Sequence, residues 1–422
     1  MPTDPNASPA KPFADFFALK RNLVITLIAI FVIGTGEELW MRFIPKYLQT
    51  LGASVFVIGL YDALRTLISA IYAYPGGLWA DRWGHRRAFI TFNLVSIVGY
   101  ALVLLIPHWA GVIAGMFLFL SWSCFSLPAT LSLVGAIVAA ERYSMGIGVQ
   151  MVIKRVPIMF APVIGGVLID HFGVVPGVRI ALIISIVLSA VTFIALRELR
   201  EARKEGAEIT PTPEHWSFLQ SLRGFDASMW WLLFSDILVR FCERIPFAWV
   251  VIFAMDYAGA TGKEVGLLTT IEVLVATLCI IPSSYFADKR RREPFVAATF
   301  VMFTLFPVVL LFSRSFPALM IAFFIRGLKE FGDTSRKALI VTYSDPERRG
   351  QMIGSYYLVR DSIVSVGAVV GAYLWRQSPA ANFLGAAAFG LAGTLIYLRA
   401  TRHERRKARE NVKLDISRMR LK

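Results

Sequence analysis

The sequence predicts an all-α membrane protein whose twelve transmembrane helices form two pseudo-symmetric bundles of six. Hydrophobic residues make up 56% and charged residues 17% of its 422 residues. Soluble domains average about 45–50% apolar and about 25% charged residues. Apolar stretches of about 20 residues, long enough for a helix to cross a bilayer, recur along the chain. The same landmarks occur in both halves, which indicates that one bundle repeats the other.

Twelve apolar stretches define the predicted helices, which are numbered span 1 to span 12 in chain order. The first six cover residues 22–48, 55–79, 88–107, 111–137, 146–170 and 178–197. The last six cover residues 228–256, 264–286, 295–313, 317–341, 351–375 and 380–399. Span 1 is too long for a cleaved signal sequence and no small-residue cleavage site follows it, so we expect a retained helix. The ten-residue alternation of membrane β-strands does not occur in the sequence.

An internal repeat relates the two halves at an offset of about 207 residues. The matched pairs are Gly52/Gly259, Gly59/Gly266, Leu67/Leu274, Pro75/Pro282 and Asp81/Asp288. Parallel repeats of helix bundles are typical of transporters, in which two halves rock about one site. We therefore predict a bundle over residues 1–200, a cytoplasmic linker over 201–226, and a second bundle with a basic tail over 227–422.

Basic residues are distributed unevenly between the two sides of the predicted spans. The net charge is +15, and 28 of the 44 lysines and arginines fall in the N-terminus, every second loop and the C-terminal tail. Only five fall on the opposite side. This pattern follows the positive-inside rule and predicts a multi-pass protein of the cell (inner) membrane with both termini cytoplasmic. The basic tail then faces anionic membrane lipid, and we expect no nucleic-acid partner.

Patterns typical of enzymes and metal sites are missing from the sequence. Cys124, Cys242 and Cys279 fall in spans, without the spacing of metal ligands or of a disulfide framework. There is no His-Glu-x-x-His and no phosphate-binding glycine loop. We predict no metal, no cofactor and no enzymatic activity.

One short loop between spans 2 and 3 carries a recognisable motif. Residues 77–87 read Gly-Leu-Trp-Ala-Asp-Arg-Trp-Gly-His-Arg-Arg. This resembles the Gly-x-x-x-Asp-Arg-x-Gly-x-Arg-Arg signature of the major facilitator superfamily. A degraded second copy begins at Ser284, which replaces the leading glycine. The resemblance covers the whole chain and implies the twelve-helix fold, alternating access and a protein that works as a monomer.

The resemblance also implies a cytoplasmic latch that holds one conformation and breaks in the other. The candidate gating residues are Gly77, Asp81, Arg82, Gly84, Arg86, Arg87, Glu141, Asp288 and Lys289. A glycine lets two helices approach closely, and an aspartate is stabilised near the positive N-terminus of a neighbouring helix. The alternative is that the arginines only enforce topology.

Twenty charged residues fall in the interiors of the predicted spans, away from the span ends. The acids are Glu37, Glu38, Asp62, Asp236, Glu243, Glu272, Glu330, Asp333 and Asp361. The bases are Arg42, Arg65, Lys154, Arg155, Arg240, Arg244, Arg326, Lys329, Arg336, Lys337 and Arg360. Facing lipid, each would cost about 2.5–3.5 kcal/mol, against about 5–15 kcal/mol of total stability. We therefore expect these side chains to face each other, backbone or water. None lies inside spans 3, 6, 9 or 12, which the resemblance makes the outer, lipid-facing helices.

Spacing predicts that several of these charges neutralise each other within one helix. The i,i+4 pairs are Glu38/Arg42, Asp236/Arg240, Arg326/Glu330, Lys329/Asp333 and Asp333/Lys337. By the repeat, Arg65 corresponds to Glu272, and Lys154-Arg155 to Arg360-Asp361. Opposite charges at equivalent places suit salt bridges that form and break as two halves rock.

Proton coupling requires a group that titrates near neutrality. All five histidines fall in loops or tails, so carboxylates remain, because burial in an apolar wall favours the neutral form. We rank Glu37 first, since a second acid follows it directly; Glu38, Asp62 and Glu272 come next. The alternative is that Glu37 and Glu38 are permanently paired with arginines.

Span 5 resembles the family's antiporter signature, which is associated with proton-driven drug export. Gly148, Pro162, Gly165 and Gly166 carry the likeness, whereas Pro157 and Ala161 replace motif glycines. The sequence thus predicts a transporter of a small organic substrate, with proton-coupled efflux of drug-like or amphipathic compounds by antiport. The alternatives are a proton-coupled symporter importing an organic anion or nutrient, lipid translocation, and a non-transporting sensor.

Overall fold

The architecture of the chain is described here by a computed structural model, which covers residues 21–137, 143–199, 218–289, 291–345 and 349–420. Helices and turns account for these ranges, and no strand occurs within them. The predicted all-α fold is therefore confirmed over the part of the chain that the structure describes.

The first half contains one helix for each predicted span, except that span 1 is divided. The helices are α1 (Arg21–Met41), α2 (Ile44–Thr50), α3 (Val55–Trp83), α4 (His85–Leu105), α5 (Trp109–Ile137), α6 (Tyr143–Phe172) and α7 (Val174–Arg197). Loops of one to four residues join α2 to α3, α3 to α4 and α4 to α5. Such short connections make consecutive helices antiparallel neighbours.

The second half repeats this arrangement after a short helix. The helices are α8 (Phe218–Arg223), α9 (Ala227–Arg244), α10 (Trp249–Asp256), α11 (Gly262–Lys289), α12 (Glu293–Phe312), α13 (Phe316–Leu328), α14 (Asp333–Tyr343), α15 (Arg349–Gln377) and α16 (Pro379–Arg420). Predicted and observed ends agree within four residues, apart from α16, which continues beyond span 12 to Arg420.

Three spans are interrupted by short non-helical segments that the hydropathy did not predict. The interruptions follow Met41, Arg244 and Leu328, and they divide spans 1, 7 and 10. Pro246 lies in the second and has no amide hydrogen to donate. In the third, the Gly332 amide donates to Thr299 Oγ1 of α12 at 2.6 Å. Irregular backbone at membrane depth persists only where such partners satisfy it.

Helix contacts group the chain into two compact units. Unit 1 comprises Met1–Ala53, Arg65–Thr210 and Thr261–Thr270. Unit 2 comprises Ser54–Leu64, Pro211–Ala260 and Ile271–Lys422. The division of the chain at the 201–226 linker stays a prediction.

Each unit has an apolar core reinforced by one buried amide. In unit 1, Phe89, Phe92 and Trp122 lie in the core, and Asn93 Nδ2 of α4 donates to the Ser189 carbonyl of α7 at 2.9 Å. In unit 2, Asn382 Nδ2 of α16 donates to the Gly371 carbonyl of α15 at 2.7 Å. Interhelical hydrogen bonds of this kind are how polar side chains stabilise helix pairs in lipid.

Helix α7 presents apolar side chains outward and small polar ones inward. On α7, Val191 and Ile194 are exposed whereas Ser185 and Ser189 are buried. This polarity is the reverse of a soluble helix, in which polar residues face outward. Seven helices in the described part of the chain have the length and hydropathy to cross a bilayer, among them α1, α4, α7, α12 and α16. The surface therefore fits a lipid environment.

Candidate functional site

A cavity of about 180 Å³ lies inside unit 1. Its lining comes from α1, α3, α5 and α6, and comprises Ile30, Gly34, Glu37, Glu38, Met41, Arg65, Trp122, Ser123, Ser126, Lys154, Pro157 and Ile158. Four of the charged residues predicted from spans 1, 2 and 5 thus share one cavity. Their grouping agrees with the expectation that charges within the spans face a polar interior.

Glu37 is held by a tyrosine that the sequence did not point to. The Tyr100 hydroxyl of α4 donates to Glu37 Oε1 at 2.8 Å, and both side chains are buried. The tyrosine ring is fixed by an edge contact with Trp40 and a stack on Phe119. Tyr100 is uncharged and lies in span 3, which is predicted to be an outer helix. Nothing in the sequence of that span therefore indicated that it contacts a carboxylate.

Glu38 and Lys154 line the same cavity from α1 and α6. Glu38 is half-buried and Lys154 is exposed. No ion pair among the described residues includes either of them, and both interact electrostatically with Glu37 at longer range, Lys154 as an opposite charge and Glu38 as a like charge. Arg42, the predicted partner of Glu38, lies in the break between α1 and α2, where helical i,i+4 spacing no longer applies. Arg155, next to Lys154, is half-buried.

Unit 2 contains a dense ion-pair network centred on Asp236. Asp236 is 1% exposed and contacts three guanidiniums, those of Arg336, Arg360 at 3.4 Å and Arg240 at 3.7 Å. The hydroxyl of Tyr356 also donates to it at 3.1 Å. An uncompensated carboxylate at this depth would cost several kcal/mol. The surrounding guanidiniums compensate the negative charge of an ionised Asp236 at this depth.

The network continues through four more residues, Glu243, Lys329, Glu272 and Arg326. Glu243 accepts from Arg240 at 2.7 Å and from Lys329 Nζ at 2.7 Å. Lys329 also lies 3.5 Å from Glu272, which pairs with Arg326 at 3.2 Å. A cavity of about 10 Å³ beside Glu243, Arg326 and Lys329 has room for about one water molecule.

Of the i,i+4 pairs predicted on span 10, Asp333/Lys337 is confirmed and Lys329/Asp333 is wrong. Asp333 pairs with Lys337 at 2.8 Å as its spacing indicated, and it also contacts Arg336 and Arg240. Lys329 does not pair with Asp333, because the helix is interrupted between them and its ammonium turns toward Glu243 instead. Glu330 lies half-buried in that interruption.

The remaining charged residues of unit 2 pair at short range. Asp62, on the part of α3 that clusters with unit 2, accepts from Arg244 at 3.2 Å and is buried. The Arg244 guanidinium also lies over the Phe247 ring, 4.9 Å from its centre. Arg360 bonds its neighbour Asp361 at 2.8 Å. The pair Asp236/Arg240, predicted by spacing, is confirmed.

The predicted gating motif is only partly within the described residues. Gly84 has φ +85°, which requires a glycine, and it lets α3 end and α4 begin within one residue. Arg86 and Arg87 are exposed at the start of α4. Glu141 lies outside the described residues. For five further gating residues the helix is described but the side chain is not, and these are Gly77, Asp81, Arg82, Asp288 and Lys289. The latch therefore stays a prediction.

The antiporter-like helix α6 packs closely on two other helices of unit 1. A Cβ on Gly165 would fall 1.7 Å from the Leu39 carbonyl oxygen of α1. A Cβ on Gly166 would fall 2.1 Å from the Gly262 carbonyl at the start of α11. A Cβ on Gly266 of α11 would fall 2.5 Å from Val163 Cα and 2.6 Å from the Pro162 carbonyl oxygen. Gly148 lies on α6, but what surrounds it falls outside the described residues.

Asp170 of α6 caps the N-terminus of α11. Its two carboxylate oxygens accept the Gly262 amide at 2.6 Å and the Lys263 amide at 2.8 Å. The first amides of a helix lack partners inside the helix, so an anion placed there stabilises it. Thr270 Oγ1 adds a bond to the Met159 carbonyl of α6.

Replacement of Asp170 by alanine should lower the free energy of unfolding by about 1 kcal/mol, as loss of an N-cap does. The amides of Gly262 and Lys263 should also exchange with deuterium faster than in the unmodified protein. A suitable control is Asp226→Ala, because Asp226 caps its own helix through Met229 and has no bond to α11. Unchanged exchange at Gly262 and Lys263 in Asp170→Ala would contradict the assignment.

Comparison with protein families gives a match along the chain. The model described as Major Facilitator Superfamily matches residues 26–259 and 229–420. Multidrug resistance protein MdtG of Salmonella paratyphi A is 30% identical over 196 residues, which are 42% of this chain and 45% of that protein. A multi-drug resistance efflux pump PmrA homolog of Lactococcus lactis is 25% identical over 183 residues, 42% of this chain and 44% of that protein. Each match thus spans less than half of the relative.

Solved structures share the fold over most of the chain at low sequence identity. The nucleoside transporter NupG superposes with a TM-score of 0.75 at 12% identity, covering 90% of this chain and 99% of that one. A POT family transporter in complex with 5-aminolevulinic acid has a TM-score of 0.71 at 13% identity, covering 90% and 95%. The family match confirms the prediction of a membrane transporter that is not an enzyme, and the solved structures confirm its fold.

Proposed function

Because the chain belongs to the Major Facilitator Superfamily, we propose that it exports small amphipathic organic compounds in exchange for protons. The observation that supports this most directly is Glu37. It is a buried carboxylate on a cavity-lining helix and accepts a hydrogen bond from Tyr100. The partial antiporter signature of α6 and the multidrug efflux relatives favour export over import.

A buried carboxylate can couple two ligands through competition. When ionised, Glu37 attracts a cationic group in the cavity and accepts the Tyr100 hydrogen bond; when protonated, it is neutral and attracts neither as strongly. Substrate and proton then favour opposite charge states of one residue. A ligand shifts an equilibrium between two states only if it binds one of them more tightly. The charge state of Glu37 gives the substrate and the proton such a difference in affinity. Asp62 and Glu272 are weaker candidates, because both are already paired with bases.

The location and the assembly of the protein are proposed on the same basis. The excess of lysine and arginine in alternate loops supports an orientation with both termini in the cytoplasm and a position in the inner membrane. The twelve-helix fold contains its own cavity, which supports function as a monomer.

The test is transport by purified protein in proteoliposomes across an imposed pH gradient. Suitable probes are a cationic dye (ethidium), an anionic dye (carboxyfluorescein) and a zwitterionic drug (norfloxacin). We expect a gradient to drive at least one probe against its concentration difference, and Glu37→Gln to reduce that movement to the level of protein-free vesicles. Glu198→Gln is the matched control, since Glu198 is exposed and its partner among the described residues is the exposed Arg21. Equal movement without a gradient, or in Glu37→Gln, would refute proton coupling.

A symporter that imports an organic anion is the second candidate. The observation that favours it is the presence of Arg65 and Lys154 beside Glu37 in the cavity. The direction of probe movement separates the two proposals. Accumulation of carboxyfluorescein on the side toward which protons flow would support symport, and accumulation on the side from which protons flow would support antiport.

A further inference from the structure

The charges of the unit 1 cavity differ from those of unit 2 in how they are compensated. In unit 2, Asp62, Asp236, Glu243, Glu272 and Asp333 each pair with at least one base within 3.7 Å. In unit 1, Glu38 and Lys154 line the cavity, and no ion pair among the described residues includes either of them. The nearest opposite charge to Lys154 on the cavity wall is Glu37, which it reaches only as a longer-range electrostatic interaction and not as an ion pair.

An unpaired charge inside a membrane protein is expensive unless water or a ligand meets it. Insertion of a single charged side chain costs about 2.5–3.5 kcal/mol even on the lenient scale. An ion pair between Glu38 and Lys154 would have compensated both charges, as the pair of Glu243 and Lys329 does in unit 2. Glu38 and Lys154 instead stand on different helices, α1 and α6, each accessible from the cavity. A molecule bound there can pair with both.

From this arrangement we propose that the preferred substrate is a zwitterion with an apolar body. Its ammonium group pairs with Glu38 and its carboxylate, or another anionic group, pairs with Lys154. The inference rests on the proposed transport function and names the substrate class of that site. Charge-assisted hydrogen bonds to a carboxylate or an ammonium are about twice as strong as neutral ones, so both ends contribute to selectivity.

The rest of the cavity wall suits the apolar body of such a compound. Ile30, Met41, Trp122 and Ile158 contribute aliphatic and aromatic surface. Binding sites for small molecules are commonly lined in this way, with a few polar groups that fix orientation. The volume of about 180 Å³ favours a compact solute, of the size of an aromatic amino acid.

The experiment compares three forms of one aromatic amino acid that carry different charges: the zwitterion, a cationic ester and an anionic N-acetyl derivative. The probes are phenylalanine, its methyl ester and N-acetylphenylalanine, together with the same three forms of the bulkier 4-phenylphenylalanine. Binding to the full-length protein is measured in detergent by stabilisation against thermal unfolding, and in the absence of a pH gradient. Failure of proton coupling therefore leaves this measurement unaffected, and absence of zwitterion selectivity leaves gradient-driven transport intact.

We expect the zwitterion of at least one body to bind about tenfold more tightly than its ester or its N-acetyl form. Glu38→Gln should abolish the preference over the N-acetyl form, whereas Lys154→Gln should abolish the preference over the ester. The unfolding temperature of each variant without ligand shows whether it is folded, and the double exchange Glu38→Lys with Lys154→Glu should restore zwitterion preference. Equal binding of all three forms, no binding of any probe, or equal weakening of every form by both substitutions would overturn the proposal.

Discussion

Replacement of Asp236 by asparagine should lower the free energy of unfolding by about 3–5 kcal/mol. Asp236 is 1% exposed, and its carboxylate meets the guanidiniums of Arg240, Arg336 and Arg360. Asparagine keeps the shape and the acceptor oxygen but removes the negative charge. One buried and two partly buried cations would then face each other with reduced compensation, which is far more costly than loss of one hydrogen bond.

The measurement is chemical or thermal unfolding of the purified protein in detergent. Lys337→Met is the control, because it removes an ion pair of similar length from the same unit. Lys337 is 52% exposed, and its 2.8 Å contact with Asp333 should be worth less than about 1 kcal/mol. Addition of Arg336→Met to Asp236→Asn should recover part of the loss, since it removes one of the uncompensated cations. Equal destabilisation by Asp236→Asn and Lys337→Met would show that burial does not decide the strength of these pairs.

Hydropathy predicted the order and the bounds of the helices well because bilayer thickness sets their length. The charges inside the spans were equally informative. Their enclosure was expected from the cost of placing them in lipid. The structure gathers four of those in unit 1 around a cavity and most of those in unit 2 into one network.

The particular partners of those charges were not predictable from spacing. Lys329 fits an i,i+4 pair with Asp333 only if the helix is continuous, and it is not. The interruptions depend on partners distant in sequence, such as the Thr299 hydroxyl that accepts the Gly332 amide. Local propensity contains no such information.

Uncharged residues of the site were also missed. Tyr100 and Tyr356 each donate to a buried carboxylate, Glu37 in unit 1 and Asp236 in unit 2. A tyrosine in a membrane helix is more often an interfacial anchor or a packing residue, so composition alone gives no reason to single it out. Only the three-dimensional packing of the helices brings each hydroxyl to its carboxylate.

The two units therefore divide the charged residues between two kinds of environment. In unit 2, the carboxylates described above form ion pairs with bases of the same unit. These pairs stabilise the bundle, and a charged ligand would gain little by binding beside them. In unit 1 the charged residues Glu38 and Lys154 line a cavity and belong to no ion pair among the described residues, so a bound substrate or proton can change the charge balance there.

Replacement of Gly165 by alanine should be among the most disruptive single-methyl changes in the protein. The added Cβ would lie 1.7 Å from the carbonyl oxygen of Leu39, which belongs to backbone that cannot rotate away. Since van der Waals contact of carbon and oxygen requires more than 3 Å, α1 and α6 would have to separate by about 1 Å or more. Overpacking of this kind typically costs about 1–3 kcal/mol, and more where backbone must move.

The separation should also impair transport, because Leu39 directly follows the cavity residues Glu37 and Glu38 on α1. Gly34→Ala is the matched control, since it adds the same methyl between the same two helices but meets only Pro157 at 3.7 Å, an ordinary contact. We expect Gly165→Ala to lose both stability and probe transport, and Gly34→Ala to keep its stability. If the two alanine variants unfold at the same temperature, the close approach of α1 and α6 at Gly165 is not what holds the cavity together, and the small residues of α6 need another explanation.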